Sequence, residues 1–171
     1  MSHPRNADLP ALVAALHDAG VEFIIVGGAA AVLHGSGLTT QDLDIVPRRT
    51  PENAKRVLGV VEALDGWLDE PMKRRIPARE DDFLGRGQIN LDTRLGPLDV
   101  LCVLHDGRGF DELLSKSAWF TDHERRLLVL DLPDLIVVKA AANRPKDRVV
   151  LPILLALLED RRGPPPESET R

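Results

Sequence analysis

Two aspartates separated by a single apolar residue are the feature of this sequence with the clearest chemical potential. Asp42 and Asp44 flank Leu43 in a segment that alternates acidic and apolar residues, which predicts a strand over 42–46. Side chains alternate between the two faces of a strand, so both carboxylates would project from one face, about 6–7 Å apart along the chain. A lone aspartate in a strand is usually solvated or salt-bridged, so this pair needs further support before it indicates a site.

A third aspartate supplies that support. Asp99 lies between Leu98 and Val100, where a charge is costly unless it is paired, solvated or bound to a metal ion. If the two strands are neighbours, three carboxylates meet on one surface and repel one another. Mg²⁺ prefers oxygen ligands and takes one or two carboxylates together with substrate phosphates. Two such ions could activate an attacking oxygen and stabilise a departing pyrophosphate.

A glycine pair lies upstream of these acids. Gly27 and Gly28 follow a predicted strand over 22–26 and precede a short predicted helix. Glycine there would let a phosphate approach the backbone, although a tight turn would need the same residues. Near the end of that helix, His34 could contact either a substrate or the last helical carbonyls. Thr40 could position a ribose or a phosphate, or simply form a turn.

Composition limits the function classes. A chain of 171 residues with 43% hydrophobic residues can bury one compact core. Its net charge of −5 argues against a broad nucleic-acid-coating surface but allows a local basic groove. The single Cys102 excludes an internal disulfide framework and fits a reducing compartment. No apolar run reaches the ~20 residues of a membrane helix, and the first nine residues do not resemble a signal peptide. We therefore expect a cytoplasmic protein that does not engage a membrane.

The remaining elements follow from hydrophobic periodicity and turn residues. Strands and helices alternate irregularly, which predicts an α+β (α/β) domain with a mixed sheet and helices mainly on one face, rather than a doubly wound fold. We expect a single domain over 1–162, a long mobile loop over 67–87 and a disordered tail over 163–171. The predicted strands are 22–26, 42–46, 88–93, 98–104 and 125–130. The predicted helices are 9–19, 29–34, 51–64, 110–116, 133–143 and 146–160.

Together, the glycine pair and the three aspartates resemble a known pattern. The segments 26–28, 42–45 and 98–100 resemble the nucleotidyltransferase superfamily of the polymerase-β type. The run 27–35 and the later segment 135–147 look like the AbiEii-like and minimal nucleotidyltransferase branch. The resemblance implies a mixed sheet, two Mg²⁺ ions and a nucleoside triphosphate (NTP) as substrate.

The resemblance also implies roles for individual residues. Gly27 and Gly28 would hold the triphosphate, and Asp42 and Asp44 would bind both metal ions. Asp99 would complete the second metal site and help to activate the acceptor hydroxyl.

The later segment would supply positive charge. Lys139 and Lys146 would neutralise phosphate charge, with Arg144 and Asp147 as supporting residues.

Three functions follow from the resemblance. The first is Mg²⁺-dependent transfer of a nucleoside monophosphate to a hydroxyl of RNA, protein or a small molecule, in a toxin–antitoxin or phage-defence module with a cognate partner. The second is a catalytically degenerate binding or antitoxin partner, suggested by Ala29, Leu38 and Val150 at positions where many relatives carry polar or charged residues. The third is a small-molecule nucleotidyltransferase of the antibiotic-resistance kind. That class usually adds a helical acceptor-binding domain, for which this chain has little length.

Overall fold

Seven strands form one sheet in the computed structural model, which describes residues 3–162. The strands are β1 (Phe23–Val26), β2 (Leu43–Pro47), β3 (Trp67–Leu68), β4 (Gln88–Thr93), β5 (Gly96–Leu101), β6 (Ser117–Asp122) and β7 (Arg125–Leu130). The helices are α1 (Leu9–Asp18), α2 (Gly27–Leu33), α3 (Pro51–Ala63), α4 (Phe110–Leu114), α5 (Leu132–Ala142) and α6 (Pro145–Arg162).

The sheet is mixed, as the irregular alternation of elements predicts. Its strand order is β3-β4-β5-β2-β1-β7-β6. The β2–β5 and β1–β7 pairs are parallel, and the other neighbouring pairs are antiparallel. Every side chain of β1 is buried, so both faces of the sheet are covered at its centre. The core therefore lies directly beside the strand that carries Asp44.

Helix starts follow local sequence signals. The Asp8 side chain caps α1 by accepting a hydrogen bond from the Ala11 amide at 3.1 Å, and Thr50 caps α3 by accepting one from the Asn53 amide at 3.2 Å. A proline follows each cap in the first helical turn, where its missing N–H costs nothing. These two predicted boundaries are confirmed.

The segment 67–87 is not a loop throughout. It contains β3, a bridge between Leu68 and Ile76, and a 3-10 helix over Glu80–Phe83. Phe83 is only 1% exposed. The sequence of this segment, rich in charges and prolines, does not predict this structure. Pairing with β4 and burial of one aromatic ring stabilise it, and neither leaves a local sequence pattern.

Three further boundaries differ from the sequence prediction. The sequence does not predict strand β6. This strand is defined by its pairing with β7 and not by a buried apolar face. Helix α2 begins at Gly27 rather than two residues later. Gly96 already pairs with Thr93 in β4, so the turn that joins β4 to β5 is Arg94-Leu95 and not Gly96-Pro97.

The single domain over 1–162 stays a prediction, and the tail 163–171 lies outside the described residues. None of the helices within residues 3–162 combines the length and the apolar character that a membrane span requires.

Candidate active site

Parallel pairing of β2 with β5 brings the three aspartates together. Asp44 is the direct register partner of Asp99, and Asp42 immediately precedes β2. One carboxylate oxygen from each of the three lies within 4.8 Å of the others. Partners in register project from the same face of a sheet, so the two strands place these carboxylates on one surface. The structure therefore has the convergence on which the sequence argument depends.

Burial and mutual repulsion oppose ionisation of Asp44 and Asp99. Burial, followed by the Asp42 charge, raises the pKa of Asp44 to about 6. Burial, followed by the charges of Asp44 and Asp42, raises the pKa of Asp99 to about 7. Close, half-buried carboxylates raise one another's pKa because each resists a second negative charge nearby. A donor set of oxygen atoms alone, with excess negative charge, suits a hard divalent cation such as Mg²⁺.

The glycine pair lies against the acids. Gly27 has a φ of +64°, and a Cβ added to it would lie 2.1 Å from Asp44 Oδ2. A Cβ on Gly28 would lie 2.5 Å from Thr40 Oγ1. A hydrogen bond from the Gly28 backbone also helps to lower the pKa of Asp44. Both positions therefore require glycine for close packing around Asp44 and Thr40, whether or not a phosphate binds there.

Two polar side chains orient the carboxylates. Thr40 Oγ1 donates to Asp42 Oδ1 at 3.1 Å and lies 3.2 Å from the Asp42 carbonyl oxygen. Gln88 Nε2 donates to Asp99 Oδ2 at 3.2 Å. Sequence reasoning singled out Thr40 but missed Gln88. Only the pairing of β4 with β5 reveals Gln88, and no local motif marks it.

The predicted basic residues lie near the acids, but two of them are already paired with Asp147. Lys139 is 6% exposed, and its Nζ lies 3.3 Å from Asp147 Oδ1. Arg144 Nε donates to Asp147 Oδ2 at 2.8 Å. Burial tends to raise the pKa of the enclosed Asp147, but the Arg144 hydrogen bond and the Lys139 charge lower it overall. The charges of Lys146 and Lys139 both help to lower the pKa of Asp44, which places positive charge beside the acids.

His34 has a different environment. Its Nε2 lies 2.8 Å from the Leu130 carbonyl oxygen, and its Nδ1 lies 3.2 Å from Arg161 Nη1. Arginine can only donate, so Nδ1 accepts and Nε2 carries the proton. Burial lowers the pKa of this histidine. His34 thus connects the end of α2 to β7 and α6, and these contacts do not bring it among the carboxylates.

Solved structures with a similar fold include nucleotidyltransferases. The crystal structure of the lincosamide antibiotic adenylyltransferase LnuA, with lincomycin bound, matches with a TM-score of 0.63 at 11% identity, over 90% of this chain and 99% of that chain. The crystal structure of ANT(2")-Ia in complex with adenylyl-2"-tobramycin matches with a TM-score of 0.57 at 14% identity, over 90% and 89% of the two chains. The crystal structure of TM1012 from Thermotoga maritima, described as a putative nucleotidyltransferase, matches with a TM-score of 0.52 at 16% identity, over 86% of this chain and 90% of that chain.

No family model matches the sequence, and no curated protein sequence matches it. The fold is therefore shown by structural similarity alone: this chain has a nucleotidyltransferase fold, and its acidic cluster lies on the central strands of that fold. The narrower AbiEii-like assignment stays a prediction from the sequence.

Proposed function

We propose that this chain is a divalent-cation-dependent nucleotidyltransferase that moves a nucleoside monophosphate from an NTP to a hydroxyl acceptor. The observation that supports this most strongly is the convergence of Asp42, Asp44 and Asp99 within 4.8 Å, beside Gly27-Gly28, in a nucleotidyltransferase fold. A cluster of three half-buried acids serves no evident packing purpose, since burial and mutual repulsion raise the pKa values of Asp44 and Asp99.

The residues fit the chemistry of phosphoryl transfer. Asp42, Asp44 and Asp99 would hold Mg²⁺, which supplies charge neutralisation at the triphosphate and at the leaving pyrophosphate. The acceptor oxygen forms a bond to the α-phosphorus as the bond to pyrophosphate breaks. Asp99 would also accept the hydroxyl proton. Lys146 would lie along the phosphates, and Lys139 would add to the local positive charge.

A direct test is to incubate the protein with each labelled NTP and Mg²⁺ and to follow pyrophosphate release. We expect release with at least one NTP and its loss in Asp42→Asn, because that change removes a cation ligand with little change in volume. Asp81→Asn, an exposed aspartate in the 3-10 helix, is the matched control and should retain turnover. Equal activity of Asp42→Asn and the unmodified protein would rule out this proposal.

A small-molecule acceptor is a specific candidate. The LnuA and ANT(2")-Ia structures contain lincomycin and an adenylylated tobramycin respectively. The length of this chain does not count against such a function, because the match spans 99% of the LnuA chain. Incubation with small hydroxylated antibiotics, total RNA and cell protein would show which acceptor carries the label.

Two other functions remain in competition with this proposal. An RNA or protein acceptor in a toxin–antitoxin or phage-defence module rests on the sequence resemblance alone. A degenerate fold that acts as a binding partner would bind NTP weakly or not at all, would release no pyrophosphate and would tolerate Asp42→Asn. The location of the label, or its absence from every fraction, separates these alternatives.

A further inference from the structure

The two edges of the sheet differ in how they are protected. The edge strand β3 has two residues, and the Leu68 amide donates to the Ile76 carbonyl oxygen at 2.8 Å, which covers it. The opposite edge strand β6 has six residues and pairs only with β7 among the strands of residues 3–162. Alternate residues of such a strand direct their N–H and C=O groups outward, where a further strand can bind them.

Strand β6 also lacks the features that usually prevent edge pairing. Its one-to-one register with β7 from Ser117 to Asp122 leaves no bulge. No proline interrupts it, and the four residues between its ends are uncharged. Trp119 is 59% exposed at its centre, and Leu114, 42% exposed, lines the same cavity of about 500 Å³. A regular edge with no charge in its interior favours association with another strand.

We propose that β6 is a dimerisation edge, at which two copies of this chain pair their β6 strands antiparallel about a twofold axis through Trp119. In this register Lys116 lies opposite Asp122 of the second copy, and symmetry repeats the pair. A two-residue slip in one direction places Lys116 opposite an aromatic residue. A slip in the other direction gives a ladder of the same length but moves Lys116 opposite Glu124, on the turn beyond the strand. Charge pairing at the ends of the strand therefore favours the register centred on Trp119, and a second copy is the occupant that supplies both the backbone pairing and the opposite charges.

The location of this edge keeps the inference independent of the proposed function. Strands β1 and β7 separate β6 from β2, so pairing at β6 leaves the acidic cluster accessible. Arg126 already lies over the Trp119 ring, with 4.7 Å from its Cζ to the ring centroid. Arg126 lies on β7, whereas the second copy would approach β6 from its free edge. The dimer would therefore cover the tryptophan without displacing this contact.

The test is sedimentation velocity on the complete chain between about 1 µM and about 1 mM, a range that spans weak to moderate association. We expect a dimer whose fraction rises with concentration, with a blue shift of tryptophan emission as Trp119 is covered. Lys116→Asp should raise the dissociation constant about tenfold or more, because it places two acids opposite each other at both ends of the ladder. The double variant Lys116→Asp with Asp122→Lys should restore association.

Lys55→Asp on the exposed side of α3 changes net charge equally and should leave the dimer intact. Urea unfolding at low concentration checks that each variant still folds. A monomer throughout the concentration range would overturn the proposal. So would a dimer that Lys116→Asp does not weaken, or one that the double charge exchange fails to restore relative to Lys116→Asp.

Discussion

At the scale of single residues, the acids that would hold the cation are a source of instability when no cation is bound. The pKa of Asp99 is about 7 in the folded protein, well above the ordinary aspartate value. The folded state therefore holds this proton more tightly than the unfolded chain. This tighter proton binding adds to the free energy of unfolding below the ordinary aspartate pKa, and the contribution is lost as the pH rises through about 7.

Asp99→Asn should consequently stabilise the cation-free protein. In EDTA at pH 8 we expect a gain in the free energy of unfolding of about 1–2 kcal/mol, after allowance for solvent screening of a half-buried group. The gain should shrink towards pH 4, where Asp99 is protonated in the folded protein. Urea unfolding at both pH values measures it, with Asp81→Asn as the control for loss of an unclustered carboxylate. A variant that is less stable at pH 8 would contradict a raised pKa of Asp99 in the folded protein.

Cation binding should release protons for the same reason. With pKa values of about 6 for Asp44 and about 7 for Asp99, one or both carboxyls hold a proton near pH 6. Mg²⁺ binds the ionised forms, so its apparent affinity should rise between pH 5.5 and pH 8. Calorimetric titration in two buffers with different ionisation enthalpies measures the proton release directly. A pH-independent affinity without proton release would mean that Mg²⁺ binds elsewhere.

The acidic site was predictable because its chemistry is encoded locally. The spacing of Asp42 and Asp44 and the apolar flanks of Asp99 identify all three acids without any knowledge of the sheet. Gln88 and the contacts of His34 were not predictable, since both depend on which elements become neighbours. The register that pairs Asp44 with Asp99 is likewise a tertiary property, set by burial of the intervening apolar residues.

At the scale of elements, the turn from β1 to α2 is the most constrained connection near the site. Gly27→Ala should destabilise the protein strongly, because its Cβ would lie 2.1 Å from Asp44 Oδ2 in a left-handed conformation. Gly35→Ala is a matched control: its φ is +95°, but nothing lies within 4 Å of an added Cβ. We expect about 1–2 kcal/mol of backbone strain at Gly35 and a larger loss at Gly27. Thermal unfolding compares the two, and equal losses would exclude a steric role for Asp44.

One buried amide joins the first turn of α3 to the residues that flank β1 and β2. Asn53 Oδ1 accepts from the Glu22 amide at 2.8 Å, while its Nδ2 donates to the carbonyl oxygens of Glu22 and Arg48 at 2.9 and 2.8 Å. Asn53→Leu would leave these backbone groups without partners, which should cost about 2–4 kcal/mol in urea unfolding. Asn90→Ala, on an exposed position of β4, should change stability by less than about 0.5 kcal/mol. A neutral Asn53→Leu would show that water replaces the lost hydrogen bonds.

The same elements show where sequence prediction of the fold succeeds. Helices α1 and α3 were predictable because capping residues and prolines mark their first turns. Strands β3 and β6 were not, since each is short or exposed and is defined by its neighbour rather than by an apolar pattern.

At the scale of the whole molecule, the pair of helices α5 and α6 places buried positive charge beside the sheet. Lys139 on α5 is paired with the fully buried Asp147 on α6. Asp147→Asn would leave an unpaired buried cation, so we expect a loss of about 3 kcal/mol or more. Replacing both residues, as Lys139→Met with Asp147→Leu, removes both desolvation costs and should recover most of that stability.

Stability and substrate binding should therefore separate in this double variant. If Lys139 helps to neutralise the triphosphate, Lys139→Met with Asp147→Leu will unfold in urea near the unmodified protein yet bind Mg²⁺–NTP more weakly, because positive charge beside Asp44 is lost. Fluorescence titration with an NTP analogue measures the affinity. Unchanged affinity would mean that Lys139 and Asp147 only hold α5 against α6. Lys146 would then be the lysine that faces the phosphates. Arg144 also pairs with Asp147. If the double variant is as unstable as Asp147→Asn, this second ion pair is needed for the packing of α6.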